Sequence, residues 1–296
     1  MSPNPIAALP VGVLSEAAPA KLNLYLHVVG RRDDGYHHLD SLVAFTETAD
    51  RLRAEPAPEL SLSVEGLFAD GLRGERDNIV LKAARALALH ASVSAGARIT
   101  LIKNLPVASG IGGGSADAAA TLRLLRRLWR LDTGDATLHG IATTLGADVP
   151  VCLAGATAFM GGIGEELSPA PRLPPVGIVL INPRVPLITA RVFQARNGRF
   201  SRPARFDETP EDAKALAALL GARGNDLEAP AATLVPAISA VLDALRASPG
   251  CLLARLSGSG ATGFGLYDSE AAAAAAASWI GAREPHWWVV PTRLRG

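Results

Sequence analysis

Apolar and polar residues alternate without a break from Lys21 to Val28. This period of two predicts a half-buried β-strand, because successive side chains of a strand point to opposite faces. The predicted core face carries Leu22, Leu24, Leu26 and Val28. The other face carries Lys21, Asn23, Tyr25 and His27. It is either an ordinary solvent face or a ligand-binding face, since a Lys and an Asn two positions apart at a strand start can reach one ligand.

Similar patterns predict the other elements of the first half of the chain. Short apolar-rich runs predict strands at Leu39–Phe45, Leu60–Val64, Ile99–Ile102 and Ala156–Met160. A helical period predicts a helix over Ile79–His90, which Asp77 or Asn78 caps. Another helix is expected to begin near Asp135 and to stop at Gly146, because glycine favours the position after a helix end.

A glycine-rich loop opens directly into an amphipathic helix between Ile102 and Arg130. The loop contains Gly110, Gly112, Gly113 and Gly114, and the helix has apolar residues at Ala118, Leu122, Leu125 and Trp129. Free backbone N–H groups at a helix start carry partial positive charge, and glycines let them close on an oxygen-rich anion. The segment therefore predicts a phosphate cradle. Ser115 and Asp117 are expected as N-cap or first-turn groups, and the Ser115 hydroxyl can also meet a phosphate or a phosphate-bound metal.

Two common phosphate-binding sequences are excluded by the residues of this loop. It lacks the Gly-Lys-Ser/Thr ending of a Walker A loop, and it has Ser115 where the dinucleotide fingerprint requires a final Gly or Ala. The alternatives that remain are a third type of cradle and a flexible glycine linker. The cradle is favoured, because a linker seldom separates a strand from a periodic helix.

Four prolines between Pro169 and Pro175 mark the expected boundary between two domains, residues 1–170 and residues 171–296. The elements expected after it are strand Ile178–Ile181, helix Pro210–Leu220, a broken helix over 226–246, strands Leu252–Leu256 and Gly263–Tyr267, helix Ser269–Ile280 and strand Trp287–Val290. Thr209 and Pro210 are expected to start the first of these helices. This order predicts a ferredoxin-like second domain with an extra helix, and hence an α+β protein.

Composition excludes several classes of function. A net charge of +1 over 296 residues argues against a general nucleic-acid or membrane surface. Only four of the 29 basic residues are lysines, Lys21, Lys82, Lys103 and Lys214, so each lysine position is informative. Cys152 and Cys251 form no metal-binding spacing and are expected to be buried thiols in a reducing compartment. No signal, transit peptide or membrane span is recognisable, so a cytosolic location is expected.

Two segments of the first half carry candidate chemistry. Tyr36 and His37 follow a glycine-bounded turn, where they either stack on a ligand ring or form a packed corner. Asp148 precedes Val149 and Pro150, and the proline is expected to keep Val149 out of helical geometry and the carboxylate in a fixed, shielded turn. Asp148 is then either a capping residue or a functional acid.

One segment of the second half also carries candidate chemistry. Leu256–Ala261 places two glycines and two serines between two predicted strands. Such a turn either closes over a phosphate or is a plain hairpin.

The glycine loop, read from Leu105 to Ala116 with Lys103 upstream, resembles the phosphate loop of the galactokinase, homoserine kinase, mevalonate kinase and phosphomevalonate kinase superfamily. The segments Pro19–Asn23 with Gly30–His37, Gly146–Pro150, Leu256–Ala261 and Asn225–Glu228 extend the resemblance over nearly the whole chain. Within the superfamily they are similar to the 4-diphosphocytidyl-2-C-methyl-D-erythritol kinase family of non-mevalonate isoprenoid-precursor synthesis. The resemblance implies a two-domain small-molecule kinase fold, with an N-terminal ATP-binding domain and a C-terminal substrate-binding domain.

The resemblance also implies roles for individual residues. The catalytic pair would be Lys21 and Asp148. The ATP-binding residues would be Asn78, Lys103, Pro106, Val107, Ala108, Ser109, Gly110, Ile111, Gly112, Gly113, Gly114 and Ser115. The residues around the cytidyl substrate would be Asn23, Tyr36, His37, Asp148, Thr189 and Phe193. ATP implies Mg²⁺, for which the sequence assigns no protein ligand.

Phosphoryl transfer needs a cradle for the donor, a cation near the transferred group and a carboxylate beside the acceptor hydroxyl. Asp148 is expected to orient or deprotonate that hydroxyl, and Lys21 to hold Asp148 ionised. The expected partners are therefore ATP and a small cytidyl substrate, in a monomer or a homodimer. Two alternatives remain open, a related kinase of the homoserine or mevalonate type and a ligand-binding member of the superfamily that has lost turnover.

Overall fold

The computed structural model describes residues 12–75, 77–94 and 96–295. Its first sheet consists of β1 (Leu14–Arg31), β2 (His37–Ala57), β3 (Leu60–Glu65), β4 (Gly96–Ile102), β5 (Ala158–Gly161) and β6 (Glu166–Pro169). The strand order is β3-β4-β2-β5-β6, and β1 pairs with β2 along nearly its whole length. Only the β3–β4 pair is parallel among these strands.

Four helices accompany this sheet, of which the first two pack directly on it and the other two pack on those helices. They are α1 (Ile79–His90), α2 (Gly113–Leu128), α3 (Asp135–Leu145) and α4 (Val149–Ala154). The apolar stripe of α2 is buried at Ala118, Leu122 and Leu125, and it meets the sheet-facing side chains of α1 in one core. Burying this stripe holds the start of α2 at a fixed height above the strands, which positions the glycine loop.

A second sheet follows in the chain. It contains β7 (Gly177–Asn182), β8 (Leu253–Leu256), β9 (Gly263–Tyr267) and β10 (Trp288–Arg293), in the antiparallel order β10-β7-β9-β8. The helices of this half are α5 (Thr189–Ala195), α6 (Ala213–Gly221), α7 (Glu228–Leu234), α8 (Ala237–Ala247) and α9 (Glu270–Gly281). The strand order is that of a ferredoxin-like unit with extra helices, which confirms the predicted fold class.

The prediction that β1 is half-buried was wrong, because both of its faces are covered. Leu22 and Leu24 are buried as expected, but Tyr25 is also fully buried and Lys21 is only 3% exposed. Leu22 and Leu24 pack in one core with Phe264 of the second half of the chain. Lys21, on the opposite face, lies against Gly112 of the glycine loop. A local period of two cannot reveal a layer that a distant segment supplies.

Several helix boundaries also differ from the expectation. Asp212, rather than Thr209, caps α6 by accepting the Ala215 N–H at 2.8 Å. Pro150 does not keep Val149 out of a helix, because proline is tolerated in a first turn and α4 begins at Val149. The short elements α4, α5 and β6 were not predicted, and the boundary at residues 170 and 171 stays a prediction that falls between β6 and β7. None of the helices in the described ranges has the length and hydrophobicity that a membrane crossing requires.

Candidate active site

A cleft of about 1120 Å³ brings the predicted site residues together. It is lined by Lys21, Asn23, Tyr36, His37, Asn78, Lys103, Pro106, Val107, Ala108, Ser109, Gly110, Gly112, Gly113, Gly114, Ser115, Asp148, Thr189 and Phe193. Ile111 is the exception, because its side chain is buried in the core between the loop and the second sheet. Its carbonyl oxygen nevertheless accepts the Lys21 N–H at 2.9 Å, which ties the glycine loop to β1.

The start of α2 presents free donors to the cleft. Gly112 is the N-cap and has a left-handed φ of +63°. Neither Ser115 nor Asp117 caps the helix, but Ser115 lies in its first turn, the other position that the sequence allowed. Capping side chains normally occupy the first N–H groups of a helix, but a glycine has none to offer. The N–H groups of Gly113, Gly114 and Ser115 are therefore available to an anion, with the partial positive charge of the helix end behind them.

Lys21 and Asp148 form an ion pair inside the cleft, with the Lys21 Nζ 2.8 Å from the Asp148 Oδ2. The lysine side chain is 4% exposed and the aspartate side chain 36%, so the predicted shielding of Asp148 was wrong. Asp148 stands at the N-cap of α4, yet its side chain caps no N–H group of that helix. Its carboxylate is directed to the ammonium group instead, and the exposed oxygen is accessible from the cleft.

Gly112 lies directly against Lys21. A Cβ atom at Gly112 would stand 3.2 Å from the Cβ and Cε atoms of Lys21. The absence of a side chain thus lets the lysine run along the loop to Asp148. This contact brings the ammonium group and the free N–H groups of α2 to the same part of the cleft.

Lys103 lies beneath the glycine loop rather than on its surface. Its ammonium group is 2% exposed and donates to Asp50 at 2.5 Å and to Asp117 at 2.6 Å. Burial disfavours the charged ammonium, but the carboxylates of Asp117 and Asp50 outweigh burial and raise the pKa of Lys103. Burial raises the pKa of Asp117 to about 7, against the opposing effect of Lys103.

This buried triad also holds the entry of the loop. The second oxygen of Asp50 accepts the N–H groups of Asn104 and Leu105, at 2.5 and 2.8 Å. A Cβ at Gly113 would lie 3.2 Å from the Lys103 Nζ, so the triad touches the first turn of α2 from below. The sequence singled out Lys103 but missed both of its partners.

Asn78 serves as the N-cap of α1 at the edge of the cleft. Its Oδ1 accepts the Val80 N–H at 2.9 Å, and its Nδ2 donates to Glu75 at 2.9 Å. Both polar ends of the side chain are thus used within the protein. Asn78 shapes the wall of the cleft near the glycine loop.

The turn between β8 and β9 packs on the glycine loop. The Ser257 hydroxyl donates to the Gly110 carbonyl at 3.0 Å, and the Thr262 N–H donates to the Ser109 carbonyl at 3.0 Å. Asn225 holds this turn in place, because its Nδ2 donates to the carbonyls of Leu256 and Gly258, each at 2.8 Å. The turn is therefore not a plain hairpin, because it is bonded to the glycine loop. The hydrogen bonds by which Asn225 holds the turn were not predicted from the sequence.

Asn23 sits between this turn and β2. Its backbone N–H donates to the Ser257 hydroxyl at 3.2 Å, and its Nδ2 donates to Ser41 at 2.8 Å. Its Oδ1 is buried and has no hydrogen-bond partner among the described residues. A buried acceptor without a partner costs free energy unless a ligand donates to it.

His37 and Phe193 stack on each other across the cleft, with ring centroids 5.1 Å apart and an interplanar angle of 21°. Burial, followed by the charges of Arg31 and Arg196, lowers the pKa of His37 below its ordinary 6.5. The imidazole is therefore neutral at pH 7, with one nitrogen as donor and the other as acceptor. Tyr36 is 60% exposed beside it, and α5 supplies both Phe193 and Thr189, whose hydroxyl lies 2.8 Å from Ser259.

Comparison with known proteins agrees with this geometry. The chain matches the GHMP kinase N-terminal domain over residues 78–156 and the GHMP kinase C-terminal domain over residues 204–283. It is 56% identical to the 4-diphosphocytidyl-2-C-methyl-D-erythritol kinase of Paramagnetospirillum magneticum, over 94% of this chain and 97% of that protein. The chain belongs to the 4-diphosphocytidyl-2-C-methyl-D-erythritol kinase family.

Solved structures support the same family and the wider fold. A crystal structure of a 4-(cytidine 5′-diphospho)-2C-methyl-D-erythritol kinase is 36% identical, with a TM-score of 0.76 over 96% of this chain and 100% of that one. Homoserine kinase from Cytophaga hutchinsonii is 16% identical, with a TM-score of 0.73 over 99% of this chain and 97% of that one, and it shares the fold. The chain is accordingly an ATP-dependent kinase with the two-part GHMP architecture.

Proposed function

We propose that this kinase transfers the γ-phosphoryl group of ATP to the 2-hydroxyl of 4-diphosphocytidyl-2-C-methyl-D-erythritol, in non-mevalonate isoprenoid-precursor synthesis in the cytosol. The observation that carries the proposal is the Lys21–Asp148 ion pair at 2.8 Å, set beside the free N–H groups of α2 in one cleft. The substrate is that named for the relatives, and the His37–Phe193 stack supplies aromatic surface for its cytosine ring.

In the proposed reaction, Asp148 accepts a hydrogen bond from the substrate hydroxyl and takes its proton as the bond to phosphorus forms. The Lys21 ammonium keeps Asp148 ionised before the transfer and offsets the negative charge that develops during it. The glycine loop and the N–H groups of Gly113–Ser115 hold the ATP phosphates. Catalysis then comes from positioning and from fixed charges, as phosphoryl transfer requires.

The donor set of the cleft fits Mg²⁺. The described residues contain no cluster of three or more His, Cys, Asp or Glu side chains, and Mg²⁺ needs none, because it is bound through substrate phosphates and one or two protein oxygens. Ser115 lines the cleft in the first turn of α2, so its hydroxyl would hold the ion against the ATP phosphates. The positive charge that Mg²⁺ would supply at this place neutralises part of the charge of the ATP phosphates.

The proposed roles around the substrate follow from placement. The unpartnered Oδ1 of Asn23 would accept a hydrogen bond from the substrate, and Thr189 would belong to the wall that α5 adds. Tyr36 and His37 would contact the cytosine ring, by stacking and through its hydrogen-bonding edge. The division into an ATP-binding domain of residues 1–170 and a substrate-binding domain of residues 171–296 stays part of the proposal.

A coupled ADP-release assay tests the proposal against its rivals. The purified protein is assayed with ATP and Mg²⁺ on the cytidyl alcohol, on homoserine and on mevalonate. We expect turnover on the cytidyl alcohol alone. Preferred turnover of homoserine or mevalonate would assign the chain to another kinase type, and ATP binding without turnover of any of the three would favour a ligand-binding protein.

A further inference from the structure

The part of the cleft around His37 has more positive charge than its neighbours neutralise. Arg31 and Arg196 both line the cleft here. Elsewhere in the cleft, Lys21 and Lys103 are held by carboxylates at 2.8 Å or less. Asp34 also lines the cleft here, and its carboxylate pairs with Arg32 at 2.8 Å.

Arg196 is built into the wall of the cleft. Its side chain is 7% exposed, its Nη2 donates to the Arg199 carbonyl at 2.7 Å, and its guanidinium carbon lies 5.3 Å from the centre of the Phe200 ring. The nearest carboxylate, that of Asp226, stands 3.7 Å away and already accepts the Val28 N–H at 2.7 Å. The guanidinium is therefore oriented before any ligand arrives.

The Nε of Arg196 is buried and has no hydrogen-bond partner among the described residues. Buried guanidinium donors are almost always satisfied, because an unmet charged donor loses its hydration without compensation. The unmet donor on a residue that lines the cleft points to a ligand with acceptor oxygens.

Arg31 supplies a second positive charge to the same region. It is the last residue of β1, its side chain is exposed, and it forms no ion pair within 4 Å among the residues that the structure describes. Arg31 and Arg196 line the same cleft as His37 and Phe193, and their positive charges help to lower the pKa of His37.

We propose that Arg196 and Arg31 bind the diphosphate group of the cytidyl substrate. This inference rests on the proposed function, since the diphosphate is the part of that substrate adjoining the cytidine. With the cytosine at the His37–Phe193 stack, a ribose places the diphosphate within reach of neighbouring side chains. A guanidinium matches phosphate oxygens with paired N–H groups, and the glycine loop remains available for the phosphates of ATP.

Equilibrium binding of CDP and of cytidine tests this assignment, because the two ligands differ only in the diphosphate. The proteins compared are wild type, Arg196→Gln, Arg196→Lys, Arg31→Gln and the control Arg172→Gln, which changes an exposed arginine outside the cleft. We expect wild type to bind CDP more tightly than cytidine. Arg196→Gln should weaken the binding of CDP by about tenfold or more and the binding of cytidine by less than about twofold.

The other variants sharpen the expectation. Arg31→Gln should weaken CDP by about threefold, since an exposed charge is screened by solvent and salt. Arg196→Lys should recover part of the CDP affinity, because it keeps the charge and loses the paired geometry. Arg172→Gln should leave the ratio of CDP to cytidine affinity unchanged. Thermal unfolding of each variant checks that the fold is retained.

Equal losses of CDP and cytidine in Arg196→Gln, or an unchanged affinity ratio in the well-folded Arg31→Gln and Arg196→Lys proteins, would overturn the diphosphate assignment. That result is compatible with normal phosphorylation of the cytidyl alcohol, so the proposed function would survive it. If wild type bound neither CDP nor cytidine and did not phosphorylate the cytidyl alcohol, the proposed function and the assignment would both be wrong.

Discussion

Asp148 occupies an N-cap position without capping a helix, and this is informative at the scale of one residue. An aspartate at that position normally accepts a backbone N–H group, yet this one is directed to Lys21. The free energy that capping would contribute is forgone in favour of the ion pair. The interpretation of Asp148 as a capping residue was therefore wrong, and its role as a functional acid stays a prediction.

Replacing Asp148 with Asn should lower kcat by roughly two to four orders of magnitude, the range for a positioned base. ATP binding and the fold should be nearly unchanged, because the side chain caps nothing. Lys21→Ala should lower kcat similarly. The double variant should lower kcat by far less than the two single losses combined, because the two groups act together. Steady-state kinetics on the three variants measures these losses. Additive losses would contradict the joint action of Lys21 and Asp148.

His37 gives a second prediction at this scale. His37→Ala should raise KM for the cytidyl substrate far more than KM for ATP, since a site built around hydrogen bonds penalises their loss. Because the pKa of His37 is lowered, the imidazole stays neutral through the neutral range and gains a proton only at acidic pH. Substrate KM in wild type should therefore be constant near pH 7 and change only well below pH 6.5.

The exposed neighbour His38, outside the cleft, is the matched control for this prediction. His38→Ala should leave both KM values unchanged. A His37→Ala protein that lost ATP affinity and kept that for the cytidyl substrate would place this corner in the nucleotide site.

At the scale of elements, the glycine loop depends on one missing side chain. Gly112→Val should abolish ATP binding and reduce kcat, because the new Cβ would meet Lys21 at 3.2 Å and a φ of +63° disfavours a branched residue. Gly155, at the end of α4, has a φ of +64° and no atom nearer than 3.9 Å to such a Cβ. Gly155→Val thus controls for backbone strain alone. Calorimetric titration with a non-hydrolysable ATP analogue measures the binding. Tight binding by a folded Gly112→Val protein would favour the interpretation of the glycine loop as a flexible linker.

The triad below the loop is tested by stability. Lys103→Met leaves two buried carboxylates without their cation and should lower the free energy of unfolding by about 3–5 kcal/mol. Lys82→Met, which removes an exposed lysine paired with Asp77, should cost less than about 1 kcal/mol. Chemical denaturation of the two variants measures the difference, and similar small losses in both would show that the triad is not essential to the fold.

The triad also predicts a pH dependence. The pKa of Asp117 is raised from 3.8 to about 7 in the folded protein, so the native state holds a proton that the unfolded chain releases. Stability from this group is present below about pH 4 and is lost as the pH rises through about 7. Asp117→Asn should remove that loss, which thermal unfolding between pH 5 and pH 8 would detect. An unchanged slope would show that the carboxylate does not hold the proton.

At the scale of the whole molecule, the sequence correctly predicted the features that depend on local patterns and on the order of elements along the chain. Helix α1 was predicted with its observed bounds, and so was β9. The ferredoxin-like order of the second sheet followed from the succession of elements.

What the sequence could not predict are contacts between distant segments. Lys103 meets Asp50 and Asp117, which are 53 and 14 positions away, and no periodicity marks such partners. The burial of β1 on both faces has the same origin, because Phe264 of β9 and Gly112 of the glycine loop, both distant in the sequence, cover its two faces. Lys21 and Asp148 were predicted as a catalytic pair from a resemblance, and only the folded chain shows that the two groups touch.

The hydrogen bonds from Ser257 and Thr262 to the glycine loop join parts of the chain that are about 150 residues apart. These bonds have a consequence for chimeras made from two related kinases. A chimera that takes its first half from one homologue and its second from another inherits a loop and a turn that were never selected against each other. Such a chimera keeps both bonds only where the second parent supplies a hydroxyl at position 257 and both segments keep their backbone path, because the other groups are main-chain groups.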